Sequence, residues 1–186
     1  MILATADFQT AGRGQAGNSW ESEAGKNLLF GLLFHPREVE ANRQFILSQA
    51  MALSVCETLS GYAKDICVKW PNDIYWRDKK ISGTLSECTI SGSHVGSCIL
   101  GTGINLNQRE FVSDAPNPVS LSQILGRDID ADEVLGVRSA VSRFISAWSM
   151  RVVMTRWRRF ILPLSIAAAA VMPIRMPAAT SWRSLN

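Results

Sequence analysis

The sequence predicts an α+β fold: a mixed, mostly antiparallel sheet with helices packed on one face. Two observations carry this. Short apolar runs bounded by glycine, proline and polar turns recur from residue 2 to residue 105, several of them in hairpin order. Two longer segments instead repeat their apolar residues at helical spacing. A chain of 186 residues that is 47% apolar and 19% charged can bury one core, with at most a small appendage.

Taken in order, residues 2–6 (ILATA) predict a short buried strand. Residues 9–20 predict a loop, with glycines at 12, 14 and 17. Residues 27–34 (NLLFGLLF) predict a second buried strand between Gly25 and Pro36. A helix is expected over 38–60: Glu38 and Glu40 suit its N-terminus, Phe45, Ala52, Cys56 and Leu59 form a stripe, and Gly61 stops it. Strands are expected at 66–70, ending at Pro71, and at 73–76 and 80–90 around the polar turn Arg77-Asp78-Lys79. Ser91-Gly92-Ser93 turns the chain into a further strand, 94–100, which runs on into Gly101-Thr102-Gly103-Ile104-Asn105. A polar stretch holding Pro116 and Pro118 follows. Asp130 and Glu133 then offer a capping-box start to a helix reaching Ser149, with Val134, Val137, Val141, Phe144 and Trp148 on its core face.

The four cysteines, 56, 67, 88 and 98, form no CxxC pair, so buried free thiols are expected and a metal site is not. The N-terminal residues carry no basic n-region and no long apolar run, which makes a cytoplasmic protein the default. The net charge of +3 divides unevenly. Residues 1–150 hold 13 Lys and Arg against 16 Asp and Glu, a balance of −3, whereas 151–186 hold six arginines and no Asp, Glu, Lys or Gly. Residues 151–186 therefore read as an aberrant Arg/Ala-rich tail, better explained by out-of-frame translation than by a nucleic-acid arm. The run FILPLSIAAAAVMPI is too short for a membrane span and is interrupted by Pro163 and Pro173, so neither nucleic acid nor membrane is an expected partner.

Four segments bear chemistry. Gly12-Arg13-Gly14-Gln15-Ala16-Gly17 can turn backbone N–H groups toward an anion while Arg13 adds a forked, permanent cation. A strand follows it, not a helix, and no Lys-Ser/Thr pair is present, so it is neither a Rossmann fingerprint nor a Walker A loop. A plain surface turn is the competing reading. Lys69-Trp70-Pro71-Asn72-Asp73-Ile74 presents Asn72 and Asp73 at a sheet edge, or simply caps its own backbone. In Lys80-Ile81-Ser82-Gly83-Thr84-Leu85 a point charge suited to carboxylate or phosphate precedes a mid-strand glycine that leaves room for a ligand. Gly101-Thr102-Gly103-Ile104-Asn105-Leu106-Asn107 places an asparagine where it can read an adenine edge.

Each is modest alone; together and in this order they resemble the biotin–protein ligase family over residues 4–107. The resemblance implies a catalytic domain akin to class II aminoacyl-tRNA synthetases, spanning residues 1–150. It implies that biotin and MgATP give biotinyl-5′-adenylate, and that a lysine of a biotin carboxyl carrier protein domain, part of a biotin-dependent carboxylase, takes the biotinyl group. It allows a homodimer. By resemblance Gln9 bonds the ureido ring, and Gly12, Arg13 and Gly14 wrap biotin and the adenylate. Lys80 holds carboxylate and phosphate oxygens, Gly83 lines the biotin pocket, Asn105 meets adenine, and Trp20 packs over the purine once the loop closes. Asn72 and Asp73 stand where the acceptor lysine arrives, Asp73 as its orienting or deprotonating group. Arg13, Asp73 and Lys80 are thus the expected catalytic residues.

Three departures qualify the resemblance. Many relatives carry a second arginine where this chain has Gln15, which donates a hydrogen bond but supplies no charge. The family's Ser/Thr-rich motif that closes the biotin pocket lies upstream of the glycine loop and does not occur in residues 1–11, so weak biotin binding by residues 1–186 is expected. The family's small C-terminal β-barrel is not recognisable in 151–186. A lipoate–protein ligase, a biotin binder without catalysis and an inactive fragment are the alternative readings.

Overall fold

The computed structural model describes residues 1–134 except Asp114 and Pro116. The expected continuation of the last helix to Ser149 and the Arg/Ala-rich tail lie outside the described residues. Six strands form one sheet: β1 (Ile2–Ala6), β2 (Asn27–Phe34), β3 (Ile66–Lys69), β4 (Asp73–Trp76), β5 (Lys79–Ser91) and β6 (His94–Asn105). Their order is β1-β2-β6-β5-β4-β3 and every neighbouring pair runs antiparallel, which confirms the expected α+β sheet. Among the described residues three α-helices accompany it: α1 (Phe45–Leu59), α2 (Leu121–Leu125) and α3 (Ala131–Val134).

Strand alternation divides the sheet into two chemically different faces. Leu28, Phe30, Leu32 and Phe34 of β2 join Cys98, Leu100 and Ile104 of β6 in one buried cluster with Leu47, Met51, Val55 and Leu59 of α1. Four of the intervening positions of β2, β6 and β5 are glycine: Gly31 pairs with Gly101, and Gly103 with Gly83. A helix covers the first face. The second is left open over this glycine patch, which Leu29, Leu85 and Ile99 border.

Three expectations need correction. Residues 2–6 form a strand, but all five are exposed, because β1 is the sheet's edge and has β2 as its one neighbour. The helix expected from residue 38 starts at Phe45. Val39 accepts from the Val95 N–H at 2.8 Å and Ala41 donates to Ser93 at 2.9 Å, so residues 39–41 are first tied to the start of β6. A single apolar stripe on that helix is also too narrow, since every position from Ile46 to Cys56 is buried and Phe45 is 37% exposed. The small hydroxyl residues on its inner turns are satisfied: Ser54 donates back to Ala50 at 2.9 Å, and Ser48 accepts from Asn72 at 3.0 Å.

Helix α2 was not anticipated, although its signals stand in the polar stretch after β6. Ser120 and Gln123 form a reciprocal capping box, and Gly126 closes the helix at φ 72°. The chain reaches it through Asn107, whose side chain acts as a second backbone, donating to the Ile129 carbonyl at 2.8 Å and accepting from its N–H at 2.9 Å. All four cysteines are free thiols; Cys56 and Cys98 are buried as expected, whereas Cys67 and Cys88 are half-buried. Burial pushes the thiols of Cys56 and Cys98 up to about 12 and that of Cys67 to about 11.

Candidate active site

The open face of the sheet carries a cleft of about 400 Å³, within the range of small-molecule sites. Its floor is Gly31, Gly83, Gly101 and Gly103. A Cβ at Gly31 would meet nothing within 4 Å and one at Gly101 would touch only a carbonyl at that distance, so these two positions are open space above the sheet. Gly103 is different, because an added Cβ would fall 2.4 Å from the Trp20 ring. The glycine lets the indole lie directly on the strand.

The glycine loop over residues 12–20 is a small closed turn. Gly14 donates to Asn18 at 2.6 Å and Trp20 to Gly12 at 2.9 Å. A Cβ at Gly12 would collide with the Trp20 carbonyl at 2.3 Å, so Gly12 shapes the loop and does not line the cleft. Gln9, Arg13, Gly14, Gln15 and Trp20 do line it. The loop therefore stands over one side of the cleft, with Trp20 as its inner wall.

Register brings the other side together. The β4–β5 pairing sets Tyr75 opposite Lys80, with a bulge between Ile74 and Tyr75. Lys80 Nζ then lies 2.8 Å from Asp73 Oδ2, with both side chains roughly three-quarters covered (26% and 29% exposed). A Cβ at Gly83 would press on both groups at 3.2–3.3 Å, so this glycine makes room for the pair. The Lys80 backbone is fixed on its far side, donating to Asn117 at 2.8 Å and accepting from Val119 at 2.9 Å. Lys80 Nζ also sits 5.9 Å from the Trp20 ring centroid.

Both cations of the cleft are thus paired with a carboxylate: Lys80 with Asp73, and Arg13 with Glu87 at 3.2 Å. Arg13 and Glu87 are 72% and 50% exposed, an arrangement worth about 1 kcal/mol or less and readily exchanged for a ligand anion. Glu87 was not singled out in the sequence, because only the strand register reveals that it faces the loop. Trp20 Nε1 is buried without a partner, a donor of the kind that a ligand acceptor would satisfy.

Two expected residues are buried and bonded to the protein itself. Asn72 lines the cleft but is only 2% exposed; its amide donates to Ser48 and to the Thr84 carbonyl at 2.6 Å. Those bonds lock the turn that carries Asp73. Asn105 is 4% exposed and does not line the cleft; its amide donates to Val119 at 3.2 Å, and its Oδ1 has no partner. Among the described residues no group of three or more His, Cys, Asp or Glu could hold a metal ion, and no helix is long and apolar enough to cross a membrane.

Comparison with known proteins agrees with this geometry. Residues 2–105 match the Biotin/lipoate A/B protein ligase family. The chain is 37% identical over 140 residues to the bifunctional ligase/repressor BirA of Bacillus subtilis, covering 72% of this chain and 42% of that protein. It is 33% identical over 141 residues to the biotin–[acetyl-CoA-carboxylase] ligase of Paracoccus denitrificans, covering 72% and 57%. The chain thus spans less than two thirds of the length of either relative. Its fold superposes on the biotin protein ligase of Aquifex aeolicus in complex with biotin and ATP, with a TM-score of 0.73 and 33% identity, over 86% of this chain and 68% of that one. With more than half its length inside the family match and 33% identity to a superposable ligase, this chain belongs to the biotin/lipoate protein ligase family.

Proposed function

We propose that residues 1–150 form the catalytic unit of a biotin–protein ligase, with the Arg/Ala-rich residues 151–186 outside it. The enzyme joins biotin to AMP from MgATP and then passes the biotinyl group to a lysine of a biotin carboxyl carrier protein domain. The observation that carries this reading is the glycine-floored cleft with its two exchangeable ion pairs. Adenylation brings a carboxylate and a triphosphate together, and their mutual repulsion has to be offset by fixed cations. Lys80 and Arg13 both line the cleft, Lys80 the more covered of the two. Each can leave its carboxylate for a ligand oxygen without moving far.

In the first step a biotin carboxylate oxygen attacks the α-phosphorus and pyrophosphate departs. Magnesium enters with the nucleotide, bound mainly by phosphate oxygens and water. Lys80 neutralises the charge that builds on the α-phosphate, and Arg13 and the N–H groups of the loop hold the adenylate. In the second step a neutral lysine amine attacks the acyl carbon and AMP leaves. Asp73, freed from Lys80 by the ligand, is placed to take the proton that the amine sheds. Asn72 supports that turn, and Asn105, whose Oδ1 has no protein partner, is the residue that would meet the adenine edge.

The Paracoccus denitrificans relative and the Aquifex aeolicus structure are called biotin ligases, which favours biotin over lipoate. The test is pyrophosphate release from MgATP with each acid. Release that depends on biotin supports the proposal; release with lipoate alone, or none with either acid, overturns it.

A further inference from the structure

Glu21 follows Trp20 directly, and its carboxylate is held by residues 108–113, far along the chain from it. The Val112 N–H donates to Oε1 at 3.0 Å and to Oε2 at 3.2 Å, the Ser113 N–H to Oε2 at 2.8 Å, and Gln108 Nε2 to Oε1 at 3.0 Å. Gln108 is only 1% exposed and reaches four groups. Besides Glu21, its amide nitrogen donates to the Glu110 carbonyl at 2.9 Å, and its oxygen accepts from the Glu23 N–H at 3.0 Å and from Asn27 Nδ2. Asn27 in turn accepts from the Leu106 N–H at 3.2 Å. This network joins the end of the glycine loop, the first residue of β2 and the exit from β6.

Trp20 is therefore set from three sides. Its N–H is bound to Gly12, its ring lies on Gly103, and its C-terminal neighbour is bolted to residues 108–113. The ring faces the cleft beside Lys80, where the nucleotide belongs on the ligase reading.

We propose that Glu21 is a positioning residue for the nucleotide: gripped by Gln108, Val112 and Ser113, it holds the Trp20 ring against Gly103 as a preset wall for the purine. This rests on the ligase reading. A ring already fixed in place costs the incoming base no ordering, so the anchor acts on nucleotide affinity and not on the chemical step.

The test uses the full chain. Glu21→Gln keeps the size of the side chain but turns a donor toward the donors of the network; Glu21→Asp withdraws the carboxylate. Both changes lie at a partly exposed side chain, and an unchanged thermal midpoint shows that the fold has been kept. Each variant is expected to raise the KM for ATP about tenfold, with kcat and the KM for biotin within about twofold of the parent. A second readout needs no ligand. The emission of Trp20, isolated by subtracting the Trp20→Phe protein, is expected to become more open to acrylamide in the Glu21 variants. Unchanged quenching, or altered quenching with an unchanged KM for ATP, overturns the proposal. If the parent chain releases no pyrophosphate, the ligase reading fails, and the quenching experiment together with direct ATP titration of the parent and Glu21→Gln proteins decides the role of Glu21 separately.

Discussion

Lys80 and Arg13 meet their carboxylates in different surroundings, and the difference predicts how mutation will act. The Lys80–Asp73 pair is about three-quarters covered and 2.8 Å long, whereas the Arg13–Glu87 pair is in solvent. Lys80→Ala is expected to reduce biotin-dependent pyrophosphate release by about a hundredfold or more, the usual effect of removing one preorganised charge from a transition state. Its thermal midpoint should move little, because Asp73 keeps enough solvent contact to stay hydrated. Near-normal release by the variant would remove Lys80 from the catalytic set. Gly31 gives a complementary prediction. A methyl group there meets no protein atom within 4 Å, so Gly31→Ala should fold with parental stability. The same methyl stands in the cleft and should weaken biotin or nucleotide binding, as calorimetry would show. Equal affinity in the two proteins would mean that ligand does not lie over Gly31.

At the scale of elements, β5 and β6 set Cys88 opposite Cys98, with the sulfurs 3.0 Å apart. Cys98 and Cys56 are fully buried, and burial lifts both thiols to about 12 from an ordinary 9.0. A raised thiol stabilises the fold below the unfolded value and loses that contribution as pH climbs through the folded one. The urea midpoint should therefore fall between about pH 9 and pH 12. Serine at both positions should flatten the decline; an equally steep decline in that variant would assign it to other groups. The strands were the most legible elements, since their alternation survives on the helix face, where Leu28, Phe30 and Leu32 recur at period two. The glycine-loop and Lys80 sites were legible because charge and glycine coincide there with strand ends. Other features were hidden for physical reasons. The exposure of β1 depends on which strand ends the sheet, and the late start of α1 on backbone bonds from residues 39–41 to β6. Glu87 and Glu21 were missed because their partners lie 74 and up to 92 residues away, beyond any local pattern. Helix α2 is the reverse case: Ser120, Gln123 and Gly126 spelled it out, but the two prolines nearby drew the reading toward a loop.

For the molecule as a whole, the strand order has a consequence for how the cleft comes into being and how it opens. The meander from β3 to β6 is built of short hairpins, and it carries Asp73, Lys80, Gly83, Glu87, Gly101 and Gly103. The hairpin of β1 and β2 carries Arg13, Trp20 and Gly31. Within the sheet these two parts join along a single seam, the pairing of residues 27–34 with 98–105, which bridges about seventy residues of sequence. Local hairpins close quickly and distant strands slowly, so the seam is expected to zip last and to be the first line along which the native protein parts. Pulsed amide exchange during refolding should record protection in β5 and the β5-facing amides of β6 before protection in β2. Simultaneous protection would mean that the sheet forms as one unit. A ligand lying over both Gly31 and Gly83 spans that seam and acts as a clasp. Biotin with MgATP at a hundredfold excess over its dissociation constant would add about 2.7 kcal/mol against opening. The protein would then be most durable while occupied, and its empty form the one exposed to proteases.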